Sequence, residues 1–243
     1  YFVWGHHMFT SGMSYWSRWF FSFLTFIVAI PSAIKVFNWV STMYGGAIEM
    51  RPPLLYAISF IFLFMIGGFT GLTLGSLATD VHVHDTTFVV AHFHYIIFGG
   101  MGFAFFAGIH YWYPKMFGRM YNNKIANIAW GINFVGFNLL YFPQFIIGIQ
   151  GMPRRYFDYL PQFQTGHVIS TIGGFILFIG LILMVYNLVR GIRKGEIAPA
   201  NPWHGVTLEW LIPSPPPHEN FDEIPEIKTK PYFFGPANDN KSK

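Results

Sequence analysis

The sequence contains no cysteine. Disulfide scaffolds, thiolate zinc sites, iron–sulfur clusters and cysteine nucleophiles are thereby excluded. Charge is scarce as well: Asp, Glu, Lys and Arg make up 11% of the 243 residues, against 53% hydrophobic. Soluble domains carry roughly 25% charged residues, so a solvated globular surface is excluded. Intrinsic disorder, which needs low hydrophobicity and high charge, is excluded too. The net charge of +4 is scattered among hydrophobic blocks. It forms no aromatic-interleaved basic patch, and no nucleic acid is expected as a partner. The opening run Tyr1-Phe-Val-Trp4 lacks a charged segment and a cleavage-site pattern, unlike a signal peptide. We expect the C-terminal part of a longer membrane protein, or one piece of a split one.

What is abundant is lipid-compatible. There are 29 phenylalanines and 25 glycines; glycine lets membrane helices approach closely. A membrane-spanning helix needs about 20 mostly apolar residues. Runs of that kind are Trp19 to Met43, Leu54 to Thr79, Thr86 to Tyr113, Ile125 to Pro153 and Tyr159 to Val189, and only Lys35 interrupts them with a charge. The fold class expected is an all-α membrane protein, a polytopic transmembrane helix bundle over residues 1–194. A tail, 195–243, follows: Asn201 to Pro217 is rich in Pro and Trp and suits a strap along the helix ends, and Glu219 to Lys243 is charged and expected to fray. Short-loop Lys and Arg set orientation. Arg51, Lys115, Arg119, Lys124, Arg190, Arg193 and Lys194 fall on one side if five spans alternate. That side is read as cytoplasm, or as matrix in a mitochondrion. Asp80, His82, His84, Asp85, Arg154, Arg155 and Asp158 fall on the other. Two arginines there oppose the trend and call for an anionic partner.

Ten histidines must hold any metal, with carboxylates. His92 and His94 stand two apart on a predicted helix, hence about 200° apart around it. One metal cannot easily take both, whereas two flat cofactors on opposite faces can, with Phe93 between them. Intramembrane histidine is functional by default, and axial imidazole is a standard way to hold haem iron; the plain alternative is helix–helix hydrogen bonding. His6-His7 can share one metal if the backbone departs from regular geometry, and imidazole suits copper, iron and zinc. Arg154-Arg155 suits carboxylates, because a guanidinium stays charged and donates in a fork. Lys35 lies inside an apolar run, where an ammonium must be neutralised, hydrated, paired or snorkelled to the interface. Asp85 and Asp80 can also serve as helix caps. Pro31 and Pro143 are expected to kink their helices. His110 and His167 have no motif around them and are assigned to packing.

The set Val3-Trp-Gly-His-His-Met-Phe-Thr10, Ile30-Pro-Ser-Ala-Ile-Lys-Val-Phe37, His84 to His94 and Pro153-Arg-Arg-Tyr156 resembles subunit I of the haem–copper oxygen reductases, in particular the cytochrome c oxidase branch. The motifs occur in the family's order over residues 1–194, and the tail is similar to bacterial forms. The resemblance implies a twelve-helix subunit of which this chain holds the last five helices and the end of the seventh. It implies that His6 and His7 are two of three copper ligands, the third lying upstream with a linked tyrosine. His92 would be the ligand of a high-spin haem and His94 a ligand of a low-spin haem, both of the a type. His84 and Asp85 would hold magnesium or manganese. Arg154, Arg155 and Asp80 would lie at the haem propionates. Lys35 would carry protons to the oxygen site, with Ser32 where a threonine is expected; Thr87-Phe88 replaces an aromatic pair. Implied partners are the N-terminal part of subunit I, subunits II and III, O2, membrane lipid, and cytochrome c or quinol as donor. The implied activity is reduction of O2 to water coupled to proton translocation, in a bacterial cytoplasmic membrane in preference to a mitochondrial inner membrane.

Other readings are distinguishable. A nitric oxide reductase shares the histidines but is not expected to carry Lys35 in this context. A copper-free dihaem cytochrome leaves His6-His7 without a purpose. A proton-relaying transporter gives no reason for Arg154-Arg155. Donor and haem type are not readable from these residues.

Overall fold

A computed structural model describes residues 2–221, 223 and 225. The chain forms helices α1 (Tyr15–Met43), α2 (Pro52–Gly75), α3 (Leu77–Val83), α4 (Thr87–His94), α5 (Phe103–Phe117), α6 (Asn123–Ile149) and α7 (Gln164–Lys194). A π-helical segment, Tyr95–Gly102, joins α4 to α5, so that Thr87–Phe117 crosses as one unit. Among the described residues, five units are long and apolar enough to span a membrane: α1, α2, Thr87–Phe117, α6 and Pro161–Lys194. The described residues contain no strand, only two isolated bridges. The protein is an all-helical integral membrane protein, as its composition implies.

Local chemistry sets the helix ends. Ser14 caps α1 by accepting from the Ser17 amide at 3.3 Å. Pro52 opens α2, where its missing N–H is harmless. Asn122 caps α6 at 3.1 Å. Gly118, at φ 64°, closes α5 in the left-handed conformation that glycine tolerates. Asp85 is not the cap of α4. Thr86 takes that place, accepting from the Phe88 amide at 3.3 Å, while Asp85 turns away at φ 55°. Asp80 is not a loop residue but lies in α3.

Helices α6 and α7 pack backbone to backbone. A Cβ at Gly136 would strike the Leu177 amide, and one at Gly173 the Leu140 amide. Around this pair Tyr56, Tyr95, Phe103 and Phe137 are fully buried, and Phe98 stacks on Phe137 at 5.7 Å. Helix α1 lies at the edge: 6% of its apolar window is buried, against 22–33% for the other spans. It is pinned to the bundle by Ser22, whose hydroxyl donates to the Gly75 carbonyl at 2.7 Å and accepts from the Leu77 amide.

Beyond Lys194 the chain folds back over the helix ends. Lys115 donates to the carbonyls of Ala200, Ile212 and Pro213, Arg51 to that of Pro202, and Arg119 to that of Gly195. These three cations thus share one end of the bundle. Most of the segment expected to fray, Glu219 to Lys243, lies outside the described residues.

Candidate metal centre

A cavity of about 810 Å³ opens between α1, α2 and α4. His6, His7, Ser32, Asp80, His84, Asp85, His92, Phe93 and Arg154 line it, together with Gly67, Gly68, Gly71 and Gly75 on one wall. Residues widely spaced in the chain therefore meet in one place. Lys35 is exposed on α1, one turn beyond Ser32, and does not line the cavity. Arg155 is exposed at φ 68°, and only its neighbour reaches the cavity.

His92 is held in a defined tautomer. Its Nδ1 lies 3.1 Å from the Gly67 carbonyl and 3.1 Å from the Thr70 hydroxyl. Thr70 itself donates to the Ile66 and Gly67 carbonyls, so Nδ1 carries the proton and Nε2 keeps its lone pair. A carbonyl partner of this kind orients a metal-binding imidazole and raises its basicity. Gly71 leaves room for the ring, since a Cβ there would sit 3.1 Å from His92 Cε1. His94 faces elsewhere. Its Nδ1 donates to Val90 O at 2.8 Å, and its ring stacks on Tyr141 of α6 at 4.1 Å. The two histidines thus take separate faces, one toward α2 and one toward α6.

The turn Trp4–Met8 is a 3-10 segment, which is the irregular backbone that adjacent histidines need to converge. His6 Nδ1 donates to Thr25, because the Thr25 hydroxyl is already spent on the Phe21 carbonyl. This leaves His6 Nε2 as a lone-pair nitrogen, 3.0 Å from His7 Nε2. That separation suits two neighbouring ligands on one ion with bonds of about 2.0 Å. No group of three or more His, Asp or Glu able to hold a metal occurs among the described residues.

On the outer rim, His84 Nδ1 donates to Asp80 at 3.0 Å, and Arg154 pairs with Asp85. Burial pushes the Asp80 carboxyl above the usual carboxylate range, against the pull of His84. Arg154 Nε is buried without a protein acceptor among the described residues. A cation with a spare donor in the cavity wall fits an anionic group inside. His84 Nε2 and Asp85 Oδ2 are 3.8 Å apart and can offer two donors to a cation there. Thr87 donates to the Gln144 carbonyl at 3.1 Å.

Thr25, Gly67, Thr70 and Tyr141 carry no signal in the sequence. None lies in a motif; each is brought to its histidine by packing between helices. The π-helical segment directly after His94 has no sequence signal either; such segments are frequent at functional sites.

A membrane helix bundle with imidazoles on opposite faces of one helix, and two more meeting across a cavity, offers donor sets that could hold metal cofactors. The family model described as "Cytochrome C and Quinol oxidase polypeptide I" matches residues 1–176, and the chain belongs to that family. It is 45% identical to cytochrome c oxidase subunit 1 of Thermostichus vulcanus, over 96% of this chain and 42% of the relative. It is 47% identical to that of Bacillus sp. (strain PS3), over 96% and 38%. The chain thus spans about two-fifths of the relatives it matches. A cryo-EM structure of a heme-copper terminal oxidase dimer superposes with TM-score 0.72 over 81% of this chain and 40% of the other, at 24% identity; that likeness concerns the fold.

Proposed function

We propose that the chain is part of the catalytic subunit of a respiratory terminal oxidase that reduces O2 to water and couples this to proton translocation. The observation that carries the reading is the cavity bounded by His92 on one side and the His6–His7 pair on the other. The residues fit the groups: lone-pair Nε2 atoms on His92 and His6, a glycine-lined wall for a flat ring, and the spare donor of Arg154 for a propionate. When bound, a haem and a copper there would supply oxygen binding and storage of electrons. His92 would hold the haem iron, with the Gly67 carbonyl fixing its tautomer. His6 and His7 would supply two copper ligands. His94 would hold a second, low-spin haem on the α6 side, with Phe93 between the two. Haem a is the type that the family resemblance implies for both.

Arg154, with Arg155 and Asp80 near the rim, would neutralise propionates, and His84 and Asp85 would bind magnesium or manganese. Lys35 and Ser32 would pass protons from the positively flanked side, read as bacterial cytoplasm. Electrons would come from cytochrome c or quinol through subunit II. The rest of subunit I, subunit III and lipid would complete the assembly.

Reduced-minus-oxidised spectra of the complete complex, with metal analysis, test this. We expect two haems, one of them reactive with carbon monoxide, and copper in the same preparation. His94→Ala should remove the low-spin band and leave carbon monoxide binding. A complex without copper, or a His94→Ala complex that loses only carbon monoxide binding, would overturn the assignment.

A further inference from the structure

Toward the Lys115 end of the bundle, a second polar cluster is buried away from the cavity. His110 of α5 is fully enclosed. Its ring stacks on Tyr56 of α2 at 5.0 Å and meets Tyr121 edge-on at 4.9 Å. Nδ1 lies 2.7 Å from the Phe106 carbonyl and so carries the proton. Nε2 is then the acceptor of the neutral ring. It is buried, and no protein donor among the described residues reaches it. The Tyr121 hydroxyl is buried and unpartnered in the same sense. The Tyr56 hydroxyl cannot serve either group: it accepts from Asn133 at 3.2 Å and donates to the Met184 sulfur. Trp203 of the tail packs against the Tyr113–Tyr121 cluster and helps to shut out bulk water. Both groups are enclosed by this chain's own elements, His110 fully and Tyr121 to 3% exposure.

Buried polar atoms are almost always hydrogen-bonded, and internal water molecules serve those that the protein leaves over. Two bonds of about 2.8 Å through one water bridge polar atoms that cannot meet directly, and the two rings that carry these atoms pack against each other, 4.9 Å from centre to centre. We propose that His110 and Tyr121 form a water-binding site, in which one internal water donates to His110 Nε2 and accepts from the Tyr121 hydroxyl. His110 is then a specific ligand of that water, beyond the packing role its surroundings suggest. The site does not depend on the oxidase reading, because it uses no metal or haem.

The test is a cryo-EM map of the complete complex at a resolution that shows ordered waters. A spherical density within hydrogen-bonding distance of both His110 Nε2 and the Tyr121 hydroxyl is expected. It should be lost in Tyr121→Phe, which keeps the ring and deletes one partner. A wild-type map with no density between the groups, or with the hydroxyl bonded directly to Nε2, would overturn the proposal. So would full density at the same position in Tyr121→Phe. If that variant does not assemble, the wild-type map decides alone.

Discussion

Removing the Lys115 ammonium tests what holds the folded-back tail in place. Its Nζ donates to Ile212 O at 2.6 Å, Ala200 O at 3.0 Å and Pro213 O at 3.3 Å, and lies 5.0 Å from the Trp210 ring centre. Hydrogen bonds to a charged group contribute roughly 1.5–3 kcal/mol each, and a cation over an aromatic ring about 0.5–1 kcal/mol. The third bond is long, and the contributions are not additive. A tail set free would also hydrate its carbonyls. We therefore expect Lys115→Met to weaken tail docking by about 3 kcal/mol, roughly a hundredfold in the opening equilibrium. Hydrogen exchange on the complete complex reads this directly. The reporters are the amides of Gly205, Trp210 and Leu211, which are bonded within the tail to Asn201, Thr207 and Leu208. Their protection should fall by that factor while α6 and α7 stay protected. A change below about threefold would show that Trp203 and Trp210 packing, rather than the ammonium, holds the tail.

Three further outcomes are expected. Gly136→Val places carbon against the Leu177 backbone, so α6 and α7 must separate; a loss of about 3 kcal/mol or more should appear as lower thermal stability and cofactor retention, and a wild-type melting curve would refute the close packing. Lys35→Met should leave haem spectra and copper content intact while turnover is largely lost; turnover at the wild-type rate would reduce Lys35 to an interfacial anchor. Arg154→Gln should cost below about 1 kcal/mol in stability, since its partner Asp85 is more than half exposed and solvent screens the pair. The same change removes a positive charge from the cavity wall and so should lower the midpoint potential of the high-spin haem. An unchanged potential in a redox titration would exclude Arg154 from the propionates.

The sequence by itself was enough for the number of spans, the membrane class and the two-face arrangement of His92 and His94. Each follows from periodicity and composition: an apolar run must close its backbone hydrogen bonds within a helix in lipid, and residues two apart on a helix cannot share a face. The family was legible for a related reason, because imidazoles at fixed spacing are costly in an apolar run and so mark chemistry. Packing between helices decided the rest. Helix α2 stops at Gly75, where the apolar run continues to Thr79, because the Ser22 hydroxyl of another helix takes over the Gly75 carbonyl and the Leu77 amide. Thr86 rather than Asp85 caps α4, because the Asp85 carboxylate is drawn to Arg154 across the outer rim. The tautomers of His6 and His92 rest on Thr25, Gly67 and Thr70, a hydroxyl, a carbonyl and a second hydroxyl supplied by neighbouring helices. The orphaned Nε2 of His110 exists only once α5 is enclosed by its neighbours. A hydrogen bond between residues 25 apart is set by which helix faces meet, and local pattern carries no record of that.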